Sequence, residues 1–137
     1  ICRKTIINAK INIKRMRLEN RGKLSCRSVD QILNQKFDLI VSNPPYLNPV
    51  EYNNTQIEIK KFEPKVALLG GEDGFKFYRL FANKIEHILK KKSYFICEIG
   101  HGQLEICKDI FSKSNLTLKK ISRDLNKIDR TLTFFNI

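Results

Sequence analysis

Four consecutive residues, Asn43-Pro44-Pro45-Tyr46, carry the groups needed to hold a planar –NH2 group. The Asn43 carboxamide offers one acceptor and two donors, and the two prolines lack N–H donors but keep their carbonyls. The Asn43 side-chain oxygen and the Pro44 carbonyl can therefore each accept one N–H, while the Tyr46 ring packs on the planar group. A nitrogen fixed in this way can attack a strongly activated methyl group without a general base. The alternative is a rigid turn that only ends a strand.

A short apolar run, Phe37–Ser42, must position this turn. Continuous apolar runs of this length are typical of strands buried on both faces of a parallel sheet, and the two prolines must end the strand. Ligands of open α/β sheets bind beyond the carboxyl ends of the strands, where this pattern places Asn43. The polar residues 47–61 that follow predict a long loop or short helical turns, long enough to have a functional role.

The rest of the chain alternates between helical and strand patterns. Apolar residues at helical spacing predict helices over residues 3–18, 75–89 and 102–114, with a helical turn at 29–33. Short apolar or alternating runs predict further strands at residues 23–28, 93–99, 116–122 and 131–137. This order predicts one open α/β sheet in a single domain of 137 residues, with the last two strands forming an antiparallel hairpin at one edge.

The charge of the chain is strongly positive, with 26 Lys and Arg against 14 Asp and Glu and a net charge of +12. Such a charge favours association with polyanions such as RNA, DNA or the ribosome, although compositional drift is the alternative. The dense basic cluster, residues 90–92, ends a predicted helix, where lysines also offset the helix dipole. Glu72 and Asp73 fit a cap at the start of the same helix.

The cysteines favour a cytoplasmic protein with reduced thiols. Cys2, Cys26, Cys97 and Cys107 are widely spaced and form no CxxC pair, so neither a disulfide scaffold nor a zinc site is predicted. No apolar run approaches the roughly 18 residues that a membrane-spanning helix needs. We therefore expect no association with a membrane.

Residues 43–46, placed after a buried strand, resemble the NPPY signature of class I S-adenosylmethionine-dependent methyltransferases that act on amide or exocyclic amino nitrogens. That class includes protein-glutamine N5 and adenine N6 enzymes, and the signature does not choose between them. Residues 62–79 (FEPKVALLGGEDGFKFYR) resemble a block of the HemK/PrmC family, the glutamine N5-methyltransferases of peptide-chain release factors. Residues 98–103 (EIGHGQ) and 123–130 (RDLNKIDR) resemble later motifs of that family, in the same order.

This resemblance, which covers essentially the whole chain, implies a fold and an activity. The fold would be a Rossmann-like class I methyltransferase sheet of the α/β class, here partial, ending in an antiparallel edge hairpin. The activity would be methyl transfer from S-adenosylmethionine to a glutamine side-chain amide of a release factor. Asn43, Pro44 and Tyr46 would be the catalytic residues, and Pro45 would complete the substrate-binding turn.

Other positions receive roles from the same resemblance. Phe62 and Glu63 would bind substrate from the wall of its pocket, with a plain loop as the alternative. Glu98 would be either a structural carboxylate at a strand end or part of the site. Asp124 and Arg130 are most simply an ion pair that braces the final hairpin.

The donor side of the implied site is sparse. The family has a glycine-rich cofactor turn after its first strand and a helical N-terminal domain, and these 137 residues contain no counterpart of either. The acidic residue expected to bind the cofactor ribose would lie before Ile1. Cofactor contacts then fall to Asn43 and to Arg27, which occupies the position of an aspartate near the adenine. We therefore expect residues 1–137 to be the C-terminal part of a methyltransferase domain in a longer protein.

Three hypotheses follow from these observations. The first is a release-factor glutamine N5-methyltransferase. The second is a nucleic-acid amino-group methyltransferase, either an adenine N6 enzyme or a ribosomal RNA guanine enzyme, which the charge and the NPPY signature favour. The third is an inactive truncated fragment, so catalysis by this chain alone stays open.

Overall fold

The computed structural model describes residues 3–32 and 34–137, which form two compact units divided after residue 33. The first unit contains helix α1 (Arg3–Arg15) and a short 3-10 helix (Val29–Gln31). Helix α1 ends before Arg17, which adopts a left-handed φ of 53°. The predicted strand at residues 23–28 is wrong: this segment is irregular, because it has no neighbouring strand to satisfy its N–H and C=O groups.

The second unit, Asn34–Ile137, is built on a four-stranded sheet. Its strands are β1 (Phe37–Ser42), β2 (Leu89–Glu98), β3 (Leu116–Arg123) and β4 (Asp129–Asn136), in the order β1-β2-β4-β3. Strand β1 is parallel to β2, whereas β4 is antiparallel to both β2 and β3. The predicted α/β class and the antiparallel hairpin at one edge are thus confirmed.

Five helices accompany this sheet within Asn34–Ile137. Three short ones occupy the connection after β1: α2 (Pro49–Asn53), α3 (Ile57–Phe62) and α4 (Lys65–Leu68). Two longer ones connect the strands: α5 (Lys76–Ile88) and α6 (Leu104–Ser112). The short helical turns expected after β1 are confirmed. In the described parts of the chain no helix combines the length and apolar character that crossing a membrane requires.

The core lies between one face of the sheet and helices α5 and α6. An aromatic cluster joins these layers: the Phe95 ring of β2 lies 5.6 Å from Phe81 of α5 and 6.0 Å from Phe134 of β4, centroid to centroid. Phe134 in turn lies 4.3 Å from Phe111 of α6. Burial of these large rings is the main apolar contribution that fixes the helices on the sheet.

Strand β2 begins with a bulge that carries the lysine cluster. Phe37 pairs with Leu89 and Leu39 pairs with Tyr94, so the residues between Leu89 and Tyr94 loop out of register. Lys92 within this bulge adopts a φ of 57°, a left-handed conformation that residues other than glycine rarely take. The expectation that residues 90–92 end a helix is wrong, because α5 ends at Ile88 and the strand starts at once.

The expected burial of β1 on both faces is also wrong. Leu39 is 52% exposed and Val41 is 67% exposed. Strand β1 has a single neighbour in the sheet, and helices α5 and α6 pack on the opposite face, where Phe95 lies. An apolar sequence allows a strand to be buried on both faces. Whether both faces are buried depends on other helices or strands that pack against it.

The cysteines that the structure describes are free thiols. Cys97 and Cys107 are buried, and Cys26 is exposed. Burial raises the pKa of Cys107 to about 12, so this thiol stays protonated at neutral pH. Cys2 and Leu33, on which parts of the sequence predictions fall, lie outside the described residues.

Candidate functional site

The NPPY turn (residues 43–46) directly follows β1, at the carboxyl end of the parallel pair β1 and β2. The Tyr46 hydroxyl donates a hydrogen bond to the Glu98 carboxylate at 3.3 Å, which links the turn to the end of β2. Burial, and to a smaller extent the Glu98 carboxylate, raises the pKa of the Tyr46 hydroxyl. Tyr46 is therefore neutral at physiological pH and presents a ring without charge.

Two acceptors of the turn are unused. The Asn43 side chain is exposed, and neither its carboxamide nor the Pro44 carbonyl has a hydrogen-bond partner among residues 3–32 and 34–137. Pro44 itself is buried, so the backbone that carries its carbonyl is anchored. These are the two groups expected from the sequence to accept the N–H bonds of a planar amine.

Three glycines pack against the backbone of the turn. A Cβ on Gly70 would lie 2.8 Å from the Pro45 oxygen and from the Tyr46 Cα. A Cβ on Gly74 would lie 2.6 Å from the Tyr46 oxygen, and one on Gly100 would lie 3.0 Å from the Tyr46 ring. Gly74 also has a φ of 85°. Only glycine allows this close approach, which explains why glycines recur in the blocks at residues 62–79 and 98–103.

A buried glutamine completes the surroundings of the turn. The Gln103 Nε2 donates to the Tyr46 carbonyl at 2.9 Å, and its Oε1 accepts from the Gly100 N–H at 3.0 Å and from the Tyr78 hydroxyl at 3.2 Å. The side chain is 6% exposed. Residue type and spacing did not mark Gln103 as a site residue, although it is the last position of the 98–103 motif.

Leu47, which directly follows the turn, is hydrogen-bonded to the segment after α4. The Leu47 N–H donates to the Leu68 carbonyl at 3.0 Å, and the Gly70 N–H donates to the Leu47 carbonyl at 2.8 Å. These bonds form an isolated parallel bridge between Leu47 and Leu69. The three short helices therefore begin and end at one anchored point beside the turn.

Within Asn34–Ile137, neither Phe62 nor Glu63 forms a hydrogen bond with the turn. Phe62 is the last residue of α3 and is 74% exposed, with the Lys61 ammonium 5.5 Å from its ring centroid. Glu63 follows it and is also exposed. Arg27 lies exposed in an irregular segment of the first unit. Substrate binding by Phe62 and Glu63, and cofactor binding by Arg27, stay predictions.

The expected ion pair of Asp124 and Arg130 is confirmed, whereas the expected cap of α5 by Glu72 and Asp73 is wrong, because Phe75 is the N-cap residue, no described side chain caps the helix and its first turn holds no acidic residue. Asp73 accepts from the Phe75 N–H just before α5 and pairs with Arg79 at 2.8 Å. Asp124 pairs with Arg130 at 3.3 Å, and the Arg130 guanidinium also donates to the Ile99 carbonyl at 3.0 Å. The ion pair thus braces the hairpin against the end of β2.

A basic groove lies at the other end of the sheet, where β2 begins and β4 ends. Its volume is about 790 Å³, and its basic lining residues are Lys36, His87, Lys90 and Lys91. Lys36 donates to the His87 carbonyl at 2.7 Å, and Lys90 pairs with Asp38 at 2.8 Å. Lys91 has no partner in the part of the chain that the structure describes. The groove is separated from the NPPY turn by the length of β2.

Comparison with known proteins assigns the chain to a family. The family model described as "Eco57I restriction-modification methylase" matches residues 3–99, which is more than half of the chain. The chain belongs to this methylase family. A release factor glutamine methyltransferase from Geobacter sulfurreducens is 39% identical over 98 residues, covering 72% of this chain and 34% of that protein. One from Clostridium acetobutylicum is 31% identical over 129 residues, covering 90% of this chain and 45% of that protein.

These relatives confirm the resemblance to the release-factor glutamine methyltransferases that the motifs indicated. The methylase chain spans between a third and a half of the length of the two relatives. A solved methyltransferase structure from Pyrococcus furiosus has a TM-score of 0.66 at 19% identity, covering 100% of this chain and 60% of that one. The predicted Rossmann-like methyltransferase fold is thereby confirmed.

Proposed function

We propose that this chain is the acceptor side of a protein-glutamine N5-methyltransferase that modifies a peptide-chain release factor. The observation that carries the proposal is the pair of unused acceptors on the NPPY turn, the Asn43 carboxamide oxygen and the Pro44 carbonyl. Together these two acceptors can engage both N–H bonds of a primary amide. The names of the relatives from Geobacter sulfurreducens and Clostridium acetobutylicum support a glutamine of a release factor as the carrier of that amide.

The turn can orient an amide nitrogen without removing its proton first. Both N–H bonds are engaged when Asn43 and Pro44 accept one each, so the plane and position of the amide are fixed. Tyr46 packs on the face of the amide as a neutral ring. S-adenosylmethionine, when bound, would supply the activated methyl group, and Asn43 and Pro44 would hold the nitrogen that receives it.

The described residues fit the acceptor but not the whole donor. The three glycines near the turn have the space of their missing Cβ filled by the turn itself or by Gln103, so they offer no cradle for a second ligand. Within the turn, Asn43 has the polar side chain that is free to contact the methyl donor as well as the substrate amide. We therefore propose that binding of S-adenosylmethionine needs residues beyond those around the turn.

Methyl transfer to purified proteins and nucleic acids tests this proposal. The chain and its Asn43→Ala variant would be incubated with methyl-labelled S-adenosylmethionine and, separately, with a release factor, DNA and ribosomal RNA. In a preparation that binds S-adenosylmethionine, we expect label on a release-factor glutamine, located by peptide mass spectrometry, with the wild-type sequence and not with the variant. Calorimetric titration with S-adenosylmethionine in parallel reports whether the donor side is complete in this chain.

Methylation of an amino group in nucleic acid is the second candidate. The family model names a restriction-modification methylase, and the basic groove offers several ammonium groups to phosphates. The same two acceptors would hold an exocyclic –NH2 group equally well. Label on DNA or RNA, with none on the release factor, would establish this candidate in place of the first. A folded chain that binds neither acceptor nor donor would support the inactive fragment.

A further inference from the structure

Gln103 joins three segments of the chain at the candidate site. Its amide contacts the Tyr46 carbonyl of the turn, the Gly100 N–H after β2, and the Tyr78 hydroxyl of α5. We propose that Gln103 is a positioning residue that sets the conformation of the NPPY turn for its acceptor amide. The role in acceptor recognition rests on the proposed function, whereas the role in holding the turn does not.

Hydrogen bonds occupy the two carbonyls that follow the prolines of the turn. The Tyr46 carbonyl is occupied by Gln103 Nε2, and the Leu47 carbonyl is occupied by the Gly70 N–H. The Pro45 oxygen lies against Gly70, too close for a Cβ there. The Pro44 carbonyl has no hydrogen-bond partner among the described residues. Gln103 therefore helps to decide which carbonyl faces the ligand.

The Gln103 amide packs closely against two glycines, one on each side. A Cβ on Gly100 would lie 2.7 Å from Gln103 Oε1, and one on Gly74 would lie 3.1 Å from Gln103 Nε2. These distances are shorter than ordinary contacts, so both glycines are needed for the amide to reach the turn. The network also uses the donor and acceptor of the amide in different directions, which a carboxylate cannot reproduce.

Replacement of Gln103 by Glu separates positioning from packing. The ionised carboxylate still accepts from Gly100 and Tyr78, but it has no donor and turns a negative charge towards the Tyr46 carbonyl. Protonation of the carboxyl restores a donor. Burial raises the pKa of such a carboxyl, so this rescue should set in above the ordinary value of about 4.3 for glutamate. A residue that only fills space would show no such dependence on pH.

Amide hydrogen exchange, followed by NMR, measures the effect on the turn. The reporters are the Leu47 and Gly70 N–H groups, whose acceptors are the Leu68 and Leu47 carbonyls. At about pH 7.5 we expect Gln103→Glu to exchange these two amides about tenfold or more faster than wild type, the cost of losing one buried hydrogen bond. Near pH 5 the ratio of variant to wild type should fall towards one.

Asn136→Asp is the matched control. Asn136 is 8% exposed, and its Nδ2 donates to the Lys90 carbonyl at 3.0 Å, at the opposite end of the sheet. This variant also removes a buried amide donor from a backbone carbonyl, but it should leave the Leu47 and Gly70 exchange unchanged. Equal acceleration by both variants, or none by Gln103→Glu, would overturn the proposal. If Gln103→Glu does not fold, Gln103→Met should accelerate the same amides at every pH.

A second readout uses methyl transfer. In a preparation that methylates the acceptor, Gln103→Glu should raise KM for the acceptor protein at neutral pH and recover towards pH 5, with KM for S-adenosylmethionine unchanged. A KM that changes equally for both substrates would contradict acceptor positioning. A wild-type chain that transfers no methyl group would count against the proposed function, while the exchange rates would still decide the role of Gln103.

Discussion

The two ends of strand β2 differ in how many of their polar groups have hydrogen-bond partners. At the carboxyl end, the Tyr46 carbonyl, the Tyr46 hydroxyl and the Gly100 N–H all have partners, and Asn43 and Pro44 carry acceptors that no described residue uses. At the amino end, lysines stand in a bulge, with Lys92 in a left-handed conformation and Lys91 without a partner in the described chain.

This difference shows why a few unused groups can indicate a site better than many charges. At the NPPY turn the two free acceptors are fixed by neighbours that are themselves packed and hydrogen-bonded, so their geometry is set before a ligand arrives. In the basic groove Lys36 and Lys90 are engaged by an exposed carbonyl and carboxylate, and Lys91 has no partner in the described chain, so the ammonium groups can attract phosphates without selecting a shape. The comparison predicts that changes at the turn cost more than changes at the bulge.

The largest loss of stability is expected for Gly70→Ala. The new Cβ would lie 2.5 Å from the Gly74 oxygen and 2.8 Å from the Pro45 oxygen, so backbone must move to admit it. We expect a decrease of about 3 kcal/mol in the free energy of unfolding, measured by urea denaturation. Backbone displacement here should also disturb the two free acceptors.

Gly102→Ala is the control for this prediction. Gly102 has a φ of 75°, but a Cβ there would meet nothing within 4 Å. The variant therefore carries conformational strain without a clash and should lose only about 1 kcal/mol. Equal losses for Gly70→Ala and Gly102→Ala would show that the turn is not tightly packed.

Asn43→Ala should separate function from stability. We expect methyl transfer to fall about 100-fold, because one of the two acceptors for the substrate amide is lost. The free energy of unfolding should change by less than about 0.5 kcal/mol, since the side chain is exposed and makes no hydrogen bond within the described residues. A large loss of stability would mean that Asn43 supports the turn instead of serving the ligand.

Lys92→Gly tests the other end of the comparison. Glycine adopts the φ of 57° without strain, so the variant should gain about 0.5 to 1 kcal/mol in the free energy of unfolding. Lys91→Gly, at a position without a positive φ, should instead lose about 0.5 kcal/mol. Urea denaturation of both variants checks the pair. Shifts in the same direction would show that the bulge is not strained at Lys92.

Much of the fold followed from local patterns in the sequence. The limits of β1 were predicted, and helix α5 was predicted from the apolar spacing of residues such as Phe81 and Ile85. The lysine cluster was placed wrongly, because a helical pattern that runs directly into a strand contains no glycine or proline to mark the boundary. The exposure of Leu39 and Val41 could not be predicted, since burial depends on elements that the run itself does not contain.

The site was predicted only in part. The acceptor groups of Asn43 and Pro44 follow from residue type and position after a strand, and the structure leaves both unused. The contacts of Gln103 could not be predicted from spacing, because they join residues 46, 78 and 103, which only the tertiary fold brings together. A sequence motif can indicate that such a residue matters, but it does not identify its hydrogen-bond partners.

The smallest effect that would sharpen the comparison concerns two carboxylates, one near each end of β2. Hydrogen bonds from the Ile128 and Asn126 N–H groups, with the Arg130 guanidinium, lower the pKa of Asp124. A depressed pKa in the folded state adds stability above the ordinary carboxyl pKa of about 3.9, and this contribution is lost as the pH falls through the folded-state value. Asp124→Asn should therefore be less stable than wild type at neutral pH, with the difference disappearing in acid.

Asp38 provides the comparison at the lysine end. The Lys90 ammonium lowers its pKa, but the Asp38 side chain is 82% exposed, against 26% for Asp124. Salt screens an exposed ion pair, whereas it leaves hydrogen bonds from backbone N–H groups largely intact. In about 0.5 M salt, the loss of stability on Asp38→Asn should vanish and that on Asp124→Asn should persist. Urea midpoints at low and high salt decide this, and equal salt sensitivity would mean that the hairpin brace is no more rigid than the lysine bulge.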